Sequence, residues 1–385
     1  MRLDRTSREG LYAEEHSHFR ETVRRFAREE IAPNFARWEE EGIVARSYWR
    51  SGGAAGLLCP QVPEAYGGIG GDFRFNAVVI EELWYAGFAG PAADFSVHSD
   101  VCCGYLLSFG SEAQKTKWLP GMISGEVVCA VAMTEPGTGS DLQGVQTRAV
   151  GDGDDYALNG QKTFISNGQH CDLVIVVART RRDAGSAGLS LFLVETDRSG
   201  FRRGRNLDKL GHRSADTSEM FFDDVRVPAS NLLGTEGRAM AQLMSELPQE
   251  RLTIAIQSIA AAQKAFDLTC AYVRERKAFG RPVGEFQNTR YRLADLKADL
   301  AVGWSFVDQC LGRHVRGALS SEEASIAKLW CSEMHGRVVD QCVQFHGGYG
   351  FMREYEICRL YADARVHRIY GGTSEIMREL IARGL

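Results

Sequence analysis

The sequence predicts a multidomain α+β chain whose elements run helix, β, helix. Three observations predict it. Apolar residues recur at three- and four-residue spacing from about residue 238, and the first 120 residues read as mostly helical, with the same spacing in His18–Ile31. Short β-branched runs bounded by turn residues fill the stretch between. No proline follows Pro282, so the remainder of the chain is free to form long helices. A chain of 385 residues accommodates two or three domains and a core that needs no disulfide or metal staple.

Within His18–Ile31, Phe19, Val23, Phe26 and Ala27 share one helical face, while Arg20, Glu21, Arg24 and Arg25 take the other positions. This predicts an amphipathic helix. Pro60, Pro63 and the run Gly67–Gly71 predict a loop, followed by a helix near Ala77–Ala86. Val127–Met133 is an apolar run of strand length. Ala157–Gly160 followed by Gln161–Ile165 predicts a hairpin that turns at Asn159-Gly160. Leu173–Val177, Leu189–Val194 and Met220–Val227, the last closed by Pro228, are further strands. Their close spacing predicts a β-barrel or sandwich. Three long stripes then follow. One holds Leu243, Leu247, Leu252, Ile256, Ile259, Ala262 and Phe266; another Leu293, Leu296, Leu300, Trp304, Val307 and Leu311; a third Ile326, Trp330, Met334, Val338 and Cys342. Long antiparallel helices would bury them as a bundle. The predicted units are 1–126, 127–237 and 238–385.

Lys+Arg total 45 against 50 Asp+Glu, a formal charge of -5, which argues against a nucleic-acid protein and leaves room for a local basic site for an anionic small molecule. Hydrophobic residues make up 44% and charged residues 25%, so disorder is excluded as the main state. The longest apolar runs, Val127–Met133 and Leu173–Ala178, fall far short of the roughly 18 residues of a membrane span. The N-terminal MRLDRTSREGLYAEEHSHF has no apolar stretch and predicts neither a secretory signal nor a transit peptide. The 10 cysteines lack C-x-x-C spacing and read as reduced, mostly buried thiols of a cytoplasmic protein. The 9 histidines show no H-x-x-x-H pair, and no metal site is predicted.

Five strings carry candidate chemistry. Ala132–Asp141, AMTEPGTGSD, follows an apolar strand and crowds a hydroxyl, small residues and backbone N–H groups into a short turn, where a planar or phosphorylated ligand can approach closely. Phe164-Ile165-Ser166-Asn167-Gly168 ends a strand with an aromatic ring and a hydroxyl; a hairpin end with Phe164 in the core explains it equally well. Arg274–Arg281, with Gln287 after it, sets four cations beside a glycine and suits a pyrophosphate. Gln344-Phe345-His346-Gly347-Gly348-Tyr349-Gly350 ends a helix with close-approach glycines. Ile369–Glu375, IYGGTSE, offers Thr373 or Ser374 as cap of a helix whose N-terminus favours phosphate. Taken singly, a plain turn, a solvated charge run or a helix stop accounts for most of these strings.

Together, and in this order, the five strings resemble those of the acyl-CoA dehydrogenases over nearly the whole chain, from about Glu14 to the C-terminus. Ser245–Leu252, SELPQERL, and Ile369–Arg383, IYGGTSEIMRELIAR, are most similar to the long-chain branch of that family. The resemblance implies an N-terminal helical domain, a middle β-barrel domain and a C-terminal four-helix bundle. It also implies FAD, a homotetramer built as a dimer of dimers, and electron transfer flavoprotein as partner. By the same resemblance Met133, Thr134, Ile165 and Ser166 line the isoalloxazine, and Phe164 covers one face of it. Arg276, Gln287, Gln344, Gly347 and Gly348 reach FAD across a subunit boundary, and Thr373, Ser374 and Glu375 hold its pyrophosphate and ribose. Ser140 meets CoA, and Pro248, Gln249, Arg251 and Gly372 border the substrate.

The implied reaction is α,β-dehydrogenation of an acyl-CoA thioester. It needs a desolvated carboxylate base and hydrogen bonds to the thioester oxygen. Many relatives carry the base at the position of Gly371, which has no carboxylate. The ELPQERL segment resembles the one from which long-chain enzymes supply theirs, which assigns the base to Glu250 and leaves the Gly371 backbone as oxyanion donor. Pro248 is expected to bend its helix and widen the acyl pocket for long or branched chains. A flavin oxidase or monooxygenase on the same scaffold, or a non-catalytic acyl-CoA-binding protein, are the alternative expectations.

Overall fold

The computed structural model describes Arg8, residues 10–181 and residues 184–385; the reading of the N-terminal segment falls partly on residues 1–7 and 9, outside the described residues. The chain begins with helices α1 (Glu14–Phe26), α2 (Phe35–Glu41), α3 (Arg46–Ala54), α4 (Phe73–Tyr85), α5 (Ala89–Ser96), α6 (Cys103–Phe109) and α7 (Glu112–Ser124). α1 runs on into a π-helical turn, Ala27–Ile31, and a second π turn, Val97–Cys102, joins α5 to α6. α4 starts earlier than the sequence predicts because Asp72 caps it, its Oδ1 accepting from Arg74 N at 2.9 Å. Arg20 is also a correction. It is buried rather than outward, donating to Glu81 Oε2 at 3.0 Å and Glu82 Oε1 at 2.5 Å. Two buried carboxylates on α4 require a cation there, and helical periodicity alone cannot show that.

The middle region holds β1 (Cys129–Ala132), β2 (Arg148–Asp152), β3 (Asp155–Ser166), β4 (Leu173–Arg179), β5 (Leu189–Glu195), β6 (Phe201–Asn206), β7 (Thr217–Pro228) and β8 (Leu232–Leu233). They form one sheet in the order β6-β7-β3-β2-β4-β5-β8, with β1 parallel beside β4. Its end strands β6 and β8 do not pair, so the barrel-like layer stays open at that seam among the described residues. β4 and β5 are buried on both faces, which is why they read as unbroken apolar runs. Leu173, Ile175 and Val177 join the core beneath α6 and α7, while Val174, Val176 and Ala178 face a second core inside the sheet. The expected hairpin at Asn159-Gly160 is absent. β3 runs straight through, with a bulge between Leu158 and Gly160, and Gly160 takes φ +154° where Thr147 leaves no space for a Cβ. The turn lies at Gly153-Asp154, between paired Asp152 and Asp155.

The last region is built on α8 (Ala239–Glu275), α9 (Gln287–Val315) and α10 (Ser321–His346), with α11 (Glu356–Ala364) and α12 (Ser374–Ala382) packed on α10. A two-residue ribbon, β9 (Lys277–Ala278) with β10 (Arg281–Pro282), caps the α8–α9 connection. Most residues of the three predicted stripes face one another in a core continuous with α1, α3, α4 and α5; Leu243 instead joins the core beneath the sheet, Leu247 and Ile326 are half-buried outside that core, and Trp330 is exposed. The first and last helical regions therefore share one apolar interior, while the sheet is set against a separate core formed with α6, α7 and the start of α8.

Candidate active site

α8 is a 37-residue helix with Pro248 inside it. Glu250, two residues on, is buried at 9% exposure, and the Tyr105 hydroxyl of α6 donates to its Oε1 at 2.7 Å. Burial pushes the Glu250 carboxyl up to about 7; the Tyr105 bond opposes this, and Glu246 one turn earlier adds to it. The Gln249 amide Nε2 donates to the Asp100 carbonyl at 2.6 Å, and its Oε1 lies 3.1 Å from His314 Nε2. Arg251 Nη1 donates to Ser321 at 3.0 Å and Ser325 at 3.4 Å on α10. Both head groups are engaged by the protein. They lock α8 against the π turn, α9 and α10.

Gly371 sits against the same strip of α8. Its φ is +61°, and a Cβ there would overlap Ile254 Cδ1, one helical turn beyond Glu250. The loop is pinned on both sides: Tyr370 Oη donates to Gln257 at 2.9 Å and Lys328 Nζ donates to the Gly372 carbonyl at 2.5 Å. Thr373 Oγ1 caps α12, accepting from Ile376 N at 3.3 Å; Ser374 is buried and Glu375 exposed. Among the described residues no acceptor meets the Gly371 N–H.

The AMTEPGTGSD loop is held from beneath by a buried ion pair that the sequence reading did not single out. Lys162 Nζ of β3 donates to Glu135 Oε1 at 2.9 Å and to the Met133 carbonyl at 3.0 Å, and Glu135 also accepts from Gln146 N and Thr147 N. Burial alone would raise the Glu135 carboxyl, but Lys162 and these donors hold it below its ordinary value; burial lowers the Lys162 ammonium to about 8. Thr163 N donates to the Thr134 carbonyl at 3.0 Å, so the two predicted motifs are laced together. At the second bulge of β3 the backbone of Phe164 takes φ +58°, and its ring is 66% exposed instead of entering the core. Ile165 is buried, Ser166 half-buried, and Ser140 exposed. A strained residue presenting an apolar ring to solvent is where a binding surface is expected.

Arg276, Gln344, Gly347 and Gly348 meet elsewhere, at the far end of α8. The Arg276 guanidinium lies 5.7 Å from the Tyr349 ring centroid, and Tyr272 stacks on His346 at 4.1 Å. Gln287 is exposed, with Nε2 on Tyr291 at 2.7 Å. From Glu250 to Arg276 the helix rises about 39 Å at 1.5 Å per residue. The predicted residues thus fall into two groups within one chain. Tyr105, Ile254, Glu135 and Lys162 were missed. Glu135 stood inside a motif already noted; the others carry no local signal.

Three family models match the chain: the acyl-CoA dehydrogenase N-terminal domain over residues 13–126, the middle domain over 130–225 and the C-terminal domain over 237–385. A long-chain specific acyl-CoA dehydrogenase, mitochondrial, of Sus scrofa is 50% identical over 375 residues, covering 97% of this chain and 87% of that protein. The crystal structure of an acyl-CoA dehydrogenase from Geobacillus kaustophilus superposes with a TM-score of 0.95 at 46% identity, covering 97% of this chain and 99% of that one. A glutaryl-CoA dehydrogenase from Mycobacterium smegmatis in complex with FADH2 superposes with a TM-score of 0.90 at 29% identity, covering 97% and 95%. A helical, β-rich and again helical chain bearing these likenesses along its length belongs to the acyl-CoA dehydrogenase family, oxidoreductases that act on acyl-CoA.

Proposed function

We propose that this protein converts an acyl-CoA thioester to its trans-2-enoyl-CoA, with Glu250 as the base for the α-proton, FAD as cofactor and electron transfer flavoprotein as electron acceptor. One observation carries this reading: the buried Glu250 carboxyl lies one helical turn before Ile254, the residue of α8 against which the Gly371 backbone sits. The thioester α-proton is weakly acidic. A carboxylate tuned to about 7 is matched to removing it near neutral pH. The unmet Gly371 N–H, fixed by the Tyr370 and Lys328 contacts, is available to the thioester oxygen as charge develops there.

FAD, when bound, supplies the acceptor for the β-hydride. The residues present fit it: Phe164 offers an exposed ring face beside the loop of Thr134, with the Ser166 hydroxyl on the same strand. Arg276, Gln344, Gly347 and Gly348, about 39 Å up the helix, then serve the cofactor of a second copy. Phe279 and Phe351, 95% and 80% exposed in the same terminal region of the bundle, support a homo-oligomeric contact there; the dimer of dimers rests on the family likeness alone. The long-chain preference rests on the likeness of SELPQERL and on Pro248, whose missing N–H removes one helix bond beside the base.

Anaerobic titration of the FAD-loaded enzyme with acyl-CoAs from butyryl to palmitoyl tests this. Bleaching of the flavin means turnover, and a higher kcat/KM for butyryl- than palmitoyl-CoA would overturn the chain-length assignment. Glu250→Gln should still bind acyl-CoA yet reduce flavin at least about a hundredfold more slowly; near-normal reduction would remove Glu250 from the role.

A further inference from the structure

Glu250 does not sit in its pocket alone. The π turn Val97–Cys102 delivers α6 so that Tyr105, fully buried, points its hydroxyl at Glu250 Oε1 from 2.7 Å. The preceding residue is glycine, and a Cβ at Gly104 would crowd Glu246 Oε2 at 3.2 Å and Gln249 Nε2 at 3.4 Å. The absence of a side chain there lets α8 close on α6 at this level. Gln249 Nε2 on the Asp100 carbonyl fastens the same contact. Among the described residues no donor meets Glu250 Oε2.

We propose that Tyr105 is a positioning residue for the base: its hydroxyl holds Oε1 and turns Oε2 to the substrate α-carbon, and it stabilises the carboxylate over the carboxylic acid. This inference rests on the assignment of the base to Glu250. The groups facing that carboxyl are Tyr105 and Cys102 from the α6 side, and Glu246 and Arg251 from α8. Burial and Glu246 both favour the protonated acid; Tyr105 and Arg251 favour the base. Arg251 is committed to α10, so Tyr105 is the direct hydrogen-bond donor in this balance. Burial and the neighbouring carboxylates also push the Tyr105 phenol well above its ordinary value, so it stays a donor throughout the working range. A phenol is suited to this. A lysine or arginine in its place would form an ion pair and depress the carboxylate out of the basic range altogether.

Tyr105→Phe keeps the ring and removes the donor. In the FAD-loaded enzyme, the anaerobic rate of flavin reduction at saturating acyl-CoA should follow a pH profile displaced upward by about one unit, a roughly fivefold loss at pH 7 that recovers at higher pH. A ring-fluorinated tyrosine at position 105, a stronger donor of nearly the same shape, should displace the profile downward, and it serves where Tyr105→Phe fails to fold. Asp100 also titrates near 7 under burial, but it does not contact the phenol, so its titration should not follow these changes. A structural role alone would lower the rate at every pH without moving the profile, and that result overturns the proposal. The two readings fail separately. If Glu250→Gln is inactive and both Tyr105 variants titrate as the parent does, Tyr105 has no such role and the base stands. If Glu250→Gln reduces flavin normally, the base assignment and this inference fall together.

Discussion

Placing a glutamate at Gly371 should destabilise the protein in two separable parts. A non-glycine residue at φ +61° costs roughly 1–2 kcal/mol. Its Cβ would overlap Ile254 Cδ1, an overpacking cost of roughly 1–3 kcal/mol. At about 2.1 cal/mol/K per residue, the combined 2–5 kcal/mol lowers Tm by about 2–6 °C in a chain of this size. Ile254→Val deletes the offending Cδ1 and leaves Cγ1, which would lie 3.7 Å from the new Cβ, an ordinary contact. By itself Ile254→Val costs about 0.5–1.5 kcal/mol. Combined with Gly371→Glu it relieves the overlap, so the double variant should unfold no earlier than Gly371→Glu alone. Thermal unfolding of the four FAD-loaded proteins of this cycle measures the coupling. In a Glu250→Gln background, anaerobic flavin reduction should return, with shorter acyl-CoAs, only when Ile254→Val accompanies Gly371→Glu. Strictly additive Tm losses would refute the packing argument.

Other outcomes follow from the same geometry. Arg276→Ala should lose a charge-assisted hydrogen bond worth roughly 1.5–3 kcal/mol and raise the Kd for FAD by one to two orders of magnitude; full flavin occupancy after purification would count against that contact. Glu135→Gln strands the fully buried Lys162 ammonium, at roughly 3–5 kcal/mol, and should lower both Tm and FAD affinity, while adding Lys162→Met should recover most of the Tm. The Glu250 carboxyl, raised to about 7 by burial, is the active base only when ionised, so flavin reduction should climb about tenfold between pH 6 and pH 8. A flat profile over that interval places the base elsewhere.

The helices of the last region were legible because their stripes are long, proline-free after Pro282 and buried on one side. β4 and β5 were legible because burial on both faces leaves an unbroken apolar run. The misread turn shows where local patterns mislead. Asn159-Gly160 has turn chemistry, but the Thr147 backbone takes the space of a Cβ, so the glycine is there for close approach. Arg20 looked outward because its partners, Glu81 and Glu82, lie some 60 residues away, and only the fold brings them together. The site divides in the same way. Its strings stand out as sequence, whereas Tyr105 and Ile254 enter it through tertiary packing and resemble any core aromatic or aliphatic residue.

The length of α8 has a genetic consequence. One helix carries Glu250 about a third of the way along and Arg276 at its C-terminal end, and on the proposed reading the two positions serve different cofactors. A subunit defective at Glu250 therefore still lends a sound arginine to its neighbour, and one defective at Arg276 keeps a sound base. Co-expressing Glu250→Gln with Arg276→Ala would leave one site of each mixed pair with both defects and the other with none. At an FAD concentration too low to fill the Arg276→Ala site, the two alleles should then complement each other to about a quarter of the parental activity, since about half of random pairings are mixed and half of their sites intact. Beside the parent, by contrast, either allele spoils one site per mutant chain and leaves about half of all sites intact, so only the pairing of the two alleles exposes the crossing.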